Sequence, residues 1–155
     1  MQPLSVSGEI PDAELLIQIK GLDKLIFGEV VVETPTFGTV LYHPWTKEVI
    51  AYALLDPEPR DDGFLYIYTL ATNPKFRQRG YGRRVLQALL AHWGTQPLLL
   101  RVEKATPHTA TTLRLYRKEG FRLTTDPTFV NPRTKDSTVT LIRPLPARTA
   151  SCIVL

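Results

Sequence analysis

Short apolar segments separated by turn residues recur along the chain and predict its β-strands. The longest is residues 64–71, a segment of aromatic and aliphatic side chains that is typical of a buried strand. A turn containing Pro44 separates the two segments that precede it. The predicted strands are residues 39–42, 49–55, 64–71, 97–102, 121–125 and 137–142.

Apolar side chains at helical spacing predict three helices between or before these strands. The first begins at Pro11-Asp12 and stops at Gly21, with further helical turns after it. The second runs from Gly82 to Gly94. The third begins at Thr106-Pro107, an N-cap followed by proline at the first helical position, and stops at Gly120.

This order of elements predicts an α/β fold class with a central mixed (α+β) sheet and helices on both faces. Strand 64–71, the helix after it and strand 97–102 form a crossover unit, so the two strands are expected to be adjacent and parallel, and their connection right-handed. No internal repeat is present. We therefore predict one domain over residues 1–155, with residues 144–155 as a candidate tail.

The composition narrows the class of protein. Of the 155 residues, 43% are hydrophobic and 22% charged, as in soluble globular proteins, and no apolar segment is long enough to span a membrane. Residues 1–10 lack the features of a signal peptide, so we expect a cytoplasmic protein. The net charge of +4 suits an anionic ligand, either a nucleotide cofactor or a nucleic acid. A single cysteine excludes an internal disulfide, and no metal site is predicted.

The most informative segment joins strand 64–71 to the second helix. It contains Arg77-Gln78-Arg79-Gly80-Tyr81-Gly82. The two glycines allow a tight turn, and the amides of Gln78 through Arg83 would lie at a helix N-terminus, where a pyrophosphate binds well. Lys75 and Arg84 add positive charge. A plain turn beside solvated arginines is the alternative interpretation.

Two motifs in the chain resemble those of the GNAT N-acetyltransferase superfamily. Arg77-Gln78-Arg79-Gly80-Tyr81-Gly82 resembles its Arg/Gln-x-x-Gly-x-Gly/Ala cofactor motif. Leu115-Tyr116-Arg117-Lys118-Glu119-Gly120-Phe121 is similar to the Leu-Tyr-x-x-x-Gly-Phe signature that closes the family's last helix. The resemblance implies a GNAT-like fold, acetyl-CoA as co-substrate and an amine as acceptor.

The resemblance also implies which residues bind the cofactor. The pantetheine of coenzyme A would lie between two splayed parallel strands, and a backbone amide near residues 70–72 would polarise the thioester carbonyl. Thr72 and Thr109 depart from the family pattern, since an aliphatic residue and an asparagine are usual at their positions. The predicted cofactor-binding residues are Leu70, Ala71, Thr72, Arg77, Gln78, Arg79, Gly80, Tyr81, Gly82, Arg83 and Thr109.

Acyl transfer to an amine requires a proton donor for the leaving thiolate and a route for the amine proton. The resemblance assigns the donor to Tyr116, whose alternative role is core packing. Strand 64–71 contains no carboxylate or histidine to act as base. Glu103 and His108 are the candidate bases, and the alternative for each is a purely structural role. A water relay to either residue, or no specific base at all, stays open.

The sequence is also compatible with other functions. The missing base on strand 64–71 favours a non-catalytic acyl-CoA-binding or interaction module, although Tyr116 and the cradle favour an enzyme. A nucleic-acid-binding domain would use the basic cluster between Lys75 and Arg84, but the cluster lacks a recognition-helix pattern and stacking aromatics. The acceptor is not identified, small molecule or protein, and the oligomeric state is open, with a dimer as one option.

The single cysteine lies at the end of the chain. Cys152-Ile153-Val154-Leu155 fits the C-a-a-X prenylation pattern, and the alternative is an apolar end packed on the domain. No base is predicted near Cys152, so direct attack by the amine in a ternary complex is expected rather than a cysteine acyl-enzyme.

Overall fold

The computed structural model describes residues 2–10, 12–31 and 36–145, which form a seven-stranded mixed sheet with three α-helices. The strand order across the sheet is β1-β2-β3-β4-β5-β7-β6. A 3₁₀ turn, Pro74–Phe76, joins β4 to α2. In chain order the elements are β1 (Leu4–Glu9), α1 (Ala13–Phe27), β2 (Phe37–Tyr42), β3 (Val49–Leu55), β4 (Leu65–Thr72), α2 (Tyr81–Trp93), β5 (Leu98–Glu103), α3 (Thr109–Lys118), β6 (Arg122–Thr124) and β7 (Thr138–Arg143).

Parallel pairing occurs at one place in the sheet, between β4 and β5. Strands β1 to β4 pair antiparallel in sequence order, and β7 pairs antiparallel with both β5 and β6. The prediction that the third and fourth apolar segments are adjacent and parallel is confirmed. The pairing covers only Leu65 with Leu98 and Tyr66 with Leu99.

The sheet carries a hydrophobic core on each face, as predicted. Alternate side chains of β3 supply both: Ala51, Ala53 and Leu55 belong to the core that α2 and α3 cover, whereas Tyr52 and Leu54 belong to the core that α1 covers. Successive residues of a strand point to opposite faces, so β3, which is fully buried, holds the two cores together.

Helix α1 does not stop at Gly21, which is a correction to the sequence prediction. It continues to Phe27 and ends at Gly28, whose φ of 82° gives the left-handed cap that glycine adopts readily. Glycine inside a helix costs about 1 kcal/mol. That cost is offset because the later turns of the helix pack on the sheet through partly buried Leu22 and Ile26 and the fully buried Asp23.

Two further boundaries differ from the sequence prediction. Helix α3 begins at Thr109, not after Thr106, because Thr106 closes a turn in which its hydroxyl accepts from the His108 amide at 3.3 Å. Strand β1 was not predicted, since its side chains are mostly polar or small. It is defined by its backbone pairing with β2, from Leu4 opposite Tyr42 to Glu9 opposite Phe37.

Some predictions lie outside the described residues. These are Pro11 as a helix start, the loop around Thr34-Pro35, and the C-terminal Cys152-Ile153-Val154-Leu155. Within the described ranges, no helix has the length and hydropathy needed to cross a membrane.

Candidate active site

Strands β4 and β5 separate after two paired positions, and a cleft lies between them. A β-bulge accentuates it: Leu54 of β3 faces Thr69, but Leu55 faces Ile67, so Tyr68 has no partner on β3. Bulges bend a strand and increase its twist. Beyond Tyr66, the edge of β4 that points toward β5 therefore has no strand partner, and its backbone amides and carbonyls are available to a ligand.

The cleft between the two strands has a volume of about 330 Å³. Phe27 at the end of α1 closes one side, and Tyr116 of α3 lines another. Its charged lining side chains among the described residues are Arg101 and Glu103 of β5. The remaining lining residues are Ile67, Tyr68, Thr69, Leu70, Leu100, Val102, Thr106 and Thr112.

The N-terminus of α2 lies directly after the open strand β4. Its N-cap is Gly80 in the left-handed conformation (φ 80°), and no side chain caps the helix. The first helical bond to the cap runs from the Arg84 amide to the Gly80 carbonyl at 3.2 Å, and the amides of Tyr81, Gly82 and Arg83 have no partner among the described residues. Such amides, together with the helix dipole, form an anion-binding site.

The backbone of the turn before α2 is constrained at two positions, Gln78 and Gly82. Gln78 adopts a left-handed conformation (φ 64°) that is uncommon for a residue with a side chain. A Cβ at Gly82 would lie 3.3 Å from the Thr72 hydroxyl oxygen, so the first turn of α2 packs tightly on the end of β4. Glycine at 82 therefore keeps the helix amides close to the open strand edge.

The basic side chains around this turn have different surroundings. Arg77 and Arg79 are exposed, and no ion pair engages them within the described ranges. Lys75 is paired with Glu48 at 2.9 Å, and Arg83 lies 3.7 Å from Glu119. Arg84 lies over the ring of Tyr81 at 5.8 Å. The Arg83 side chain is thus directed toward Glu119, while its backbone amide belongs to the uncapped first turn of α2.

Tyr116 is buried, with 5% of its surface exposed, and its ring packs edge-on against Phe121 at a centroid distance of 5.4 Å. Burial raises the pKa of its hydroxyl above the ordinary tyrosine value, with no contribution from a hydrogen-bond partner. Because the residue lines the cleft, this neutral hydroxyl is available to a ligand there. Both the packing role and the proton-donor role are compatible with this position.

The other predicted site residues lie at different distances from the cleft. Glu103 lines it from the end of β5, whereas His108 is exposed and is not part of the lining. The Thr109 hydroxyl donates to the Glu103 carbonyl at 2.9 Å and so fixes the turn between β5 and α3. Leu70 lines the cleft, while Ala71 packs in the core beneath α1.

Sequence reasoning missed several residues that line the cleft, among them Phe27, Thr69 and Arg101. Arg101 carried a signal, because it interrupts the apolar run Leu98-Leu99-Leu100-Arg101-Val102. Phe27 and Thr69 carried none, since their position depends on how α1 ends and where β4 bulges. Within residues 2–10, 12–31 and 36–145, no group of three or more His, Cys, Asp and Glu could hold a metal ion.

Comparison with solved structures supports the same fold. The chain is similar to Naa50 from Arabidopsis thaliana, solved with the bisubstrate analogue CoA-Ac-MVNAL, at 17% identity and a TM-score of 0.66, covering 94% of this chain and 100% of that one. It is also similar to the ribosomal-protein-S18-alanine N-acetyltransferase from Escherichia coli, at 17% identity and a TM-score of 0.64, covering 96% and 97%. No curated protein sequence matches the chain significantly.

The sequence pattern of a known family covers most of the elements that build the cleft. The match is to the acetyltransferase (GNAT) family and extends over residues 17–121, from within α1 to the residue after Gly120. It includes the α2 turn, the open edge of β4 and Tyr116, and the mixed sheet agrees with it. The chain therefore belongs to the acetyltransferase (GNAT) family.

Proposed function

We propose that the protein transfers an acetyl group from acetyl-CoA directly to a primary amine bound in the same cleft. The observation that carries this proposal is the opening between β4 and β5, which joins an unpaired strand edge to the buried hydroxyl of Tyr116. The uncapped N-terminus of α2 follows the same strand. These features suit a long ligand with a phosphate group at one end and a reactive carbonyl at the other.

The residues that would hold the co-substrate are those of the turn and the strand edge. The amides from Gln78 to Arg83 would bind the pyrophosphate, with Arg77 and Arg79 adding positive charge. The backbone at Leu70, Ala71 and Thr72 would bond to the pantetheine. Leu70, Ala71 and Thr72 also pair with β3, so the groups open to the ligand are those that point away from that strand. The amides of Tyr81, Gly82 and Arg83 have no partner among the described residues.

The reaction forms an N–C bond and breaks the C–S bond of the thioester. One proton must therefore leave the amine nitrogen, and one must reach the departing thiolate. Glu103 is the proposed acceptor of the amine proton, directly or through a water molecule, because it is the carboxylate that lines the cleft. A backbone amide near Leu70 would donate to the carbonyl oxygen as it gains negative charge. Tyr116 would donate its proton to the leaving sulfur.

The proposal is tested by incubating the protein with acetyl-CoA and a panel of amines, and measuring free thiol and N-acetyl product together. The panel contains amino acids, polyamines, and peptides with free N-termini. Equal amounts of thiol and amide with at least one amine are the expected result. Thiol without amide would indicate hydrolysis, and binding of acetyl-CoA with neither product would indicate the non-catalytic acyl-CoA-binding module.

A further inference from the structure

Arg101 is a cation in the lining of the cleft in which acyl transfer is proposed. Its neighbours Leu100 and Val102 belong to the core beneath α2 and α3, so Arg101 and Glu103 project from the opposite face of β5. Both line the cleft. The guanidinium lies over the ring of Tyr66 at 5.1 Å, and its Nη2 donates to the Phe129 carbonyl at 2.9 Å.

The bonding of Arg101 is incomplete. Its Nε atom is buried and has no hydrogen-bond partner, and no carboxylate forms an ion pair with it among the described residues. A buried polar atom without a partner is rare in folded proteins, and the side chain that carries this one is half-buried. These facts suggest that the partner of Arg101 is a ligand.

A second buried polar group in the same cleft lacks a partner. Thr69 of β4 is only 6% exposed, and its hydroxyl oxygen forms no hydrogen bond within the part of the chain that the structure describes. It lines the cleft together with Arg101. One ligand group that accepts hydrogen bonds from both a guanidinium and a hydroxyl would satisfy both residues.

We propose, on the basis of the function proposed above, that the acceptor is an amine that also carries a carboxylate, a small molecule of the amino-acid class. Arg101 and Thr69 bind the carboxylate. A carboxylate fits the planar guanidinium and carries one negative charge, whereas a phosphate would bring more negative charge close to Glu103. Glu103 in turn attracts the amino group, so the two charges of β5 match the two ends of such an acceptor.

The test compares three acceptors that differ in one group: phenylalanine, phenylalaninamide and phenethylamine, followed by the same comparison for other amino acids. The protein is expected to use the best carboxylate substrate with a kcat/KM at least about tenfold above that of its amide, the usual size of one charge-assisted hydrogen bond. Arg101→Gln is expected to remove this preference, mainly by raising KM for the carboxylate. Arg101→Lys, which keeps the charge, and Thr69→Val should each retain part of it.

Arg60 provides a matched control, because its Nη2 donates to the Thr128 carbonyl at 3.3 Å, one residue from the carbonyl that Arg101 holds. Arg60→Gln should loosen the same loop but leave the carboxylate preference intact. If Arg101→Gln lowered kcat/KM equally for all three acceptors, Arg101 would only anchor the loop and the inference would be wrong.

Two other outcomes would also overturn the inference. Equal use of amino acids and their amides by the parent protein would do so, and so would faster transfer to peptide N-termini than to any free amino acid. In both cases acetyl transfer itself would still support the function proposed above. A failure to acetylate any amine would instead overturn the proposed function, and the inference with it.

Discussion

At the scale of single residues, Tyr116 and Tyr52 are two buried tyrosines with different surroundings. The Tyr52 hydroxyl donates to Asp23 at 2.6 Å within the core beneath α1, whereas Tyr116 lines the cleft and its hydroxyl has no hydrogen-bond partner among the described residues. Removing the hydroxyl from each therefore distinguishes a stabilising hydrogen bond at Tyr52 from the proposed proton donor at Tyr116.

We expect Tyr116→Phe to lower turnover by about a hundredfold, the low end of general-acid effects, because a thiolate needs less help than an alkoxide. The melting temperature and the apparent affinity for acetyl-CoA should stay near those of the parent. Tyr52→Phe should instead lower the free energy of unfolding by about 1–3 kcal/mol, since it leaves Asp23 buried with one donor fewer. Steady-state kinetics and urea unfolding of both variants check this, and unchanged turnover in Tyr116→Phe would assign the residue to packing.

Asp23 makes the stability of the fold depend on pH. Burial raises the pKa of its carboxyl, against the opposing effect of the hydrogen bonds from Tyr52 and the Val31 amide. The folded chain then holds this proton more tightly than the unfolded chain does. Its contribution to the free energy of unfolding is fully present below the unfolded pKa and is lost as pH rises through the folded pKa.

The Asp23→Asn side chain cannot titrate, so the stability of this variant should lack the pH dependence that Asp23 causes. We therefore expect the difference in unfolding free energy, parent minus Asp23→Asn, to be largest near about pH 4 and to fall toward about pH 7. Urea unfolding of both proteins across that range measures it. A difference that grows with pH would mean that the hydrogen bonds dominate over burial and lower the pKa instead.

At the scale of elements, the sequence predicts those parts whose side-chain pattern is strong. Strands β3, β4 and β5 are apolar runs between turn residues, and α2 has a clear apolar face ending at Gly94, so all four were predicted within a few residues. Strand β1 was missed, and so was the continuity of α1 through Gly21, although further helical turns were predicted after that residue. Their stability comes from pairing with β2 and from contacts of Asp23, which are not local features of the sequence.

The site could be predicted in its backbone part better than in its side chains. The turn from Gln78 to Gly82 and the position of Tyr116 follow from two motifs that lie close to the elements they serve. Arg101 and Thr69 line the cleft only because β4 and β5 pair at two positions and then separate. That separation is a property of the sheet as a whole, which no short stretch of sequence encodes.

At the scale of the whole molecule, ligand binding at the turn should stabilise the complete domain. The two cores share β3, and the proposed co-substrate site joins β4 to α2, so we expect the described elements to unfold together rather than one core at a time. A ligand that binds only the folded state then raises the temperature of the entire transition.

We expect CoA at about 100 times its dissociation constant to add about 2.7 kcal/mol of stability, or roughly 5–10 °C in melting temperature for a chain of this size. At a fixed CoA concentration the shift should decrease at high salt, because exposed charges such as Arg77 and Arg79 contribute to the affinity and are screened.

Gly82→Val should abolish the shift. Its side chain would begin 3.3 Å from the Thr72 hydroxyl and obstruct the approach of a pyrophosphate to the helix amides. Because the substitution also strains the packing of α2 on β4, the comparison is between the shifts that CoA produces in each protein, measured by calorimetry, and not between their melting temperatures. An equal shift in the two proteins would place the CoA site away from the N-terminus of α2.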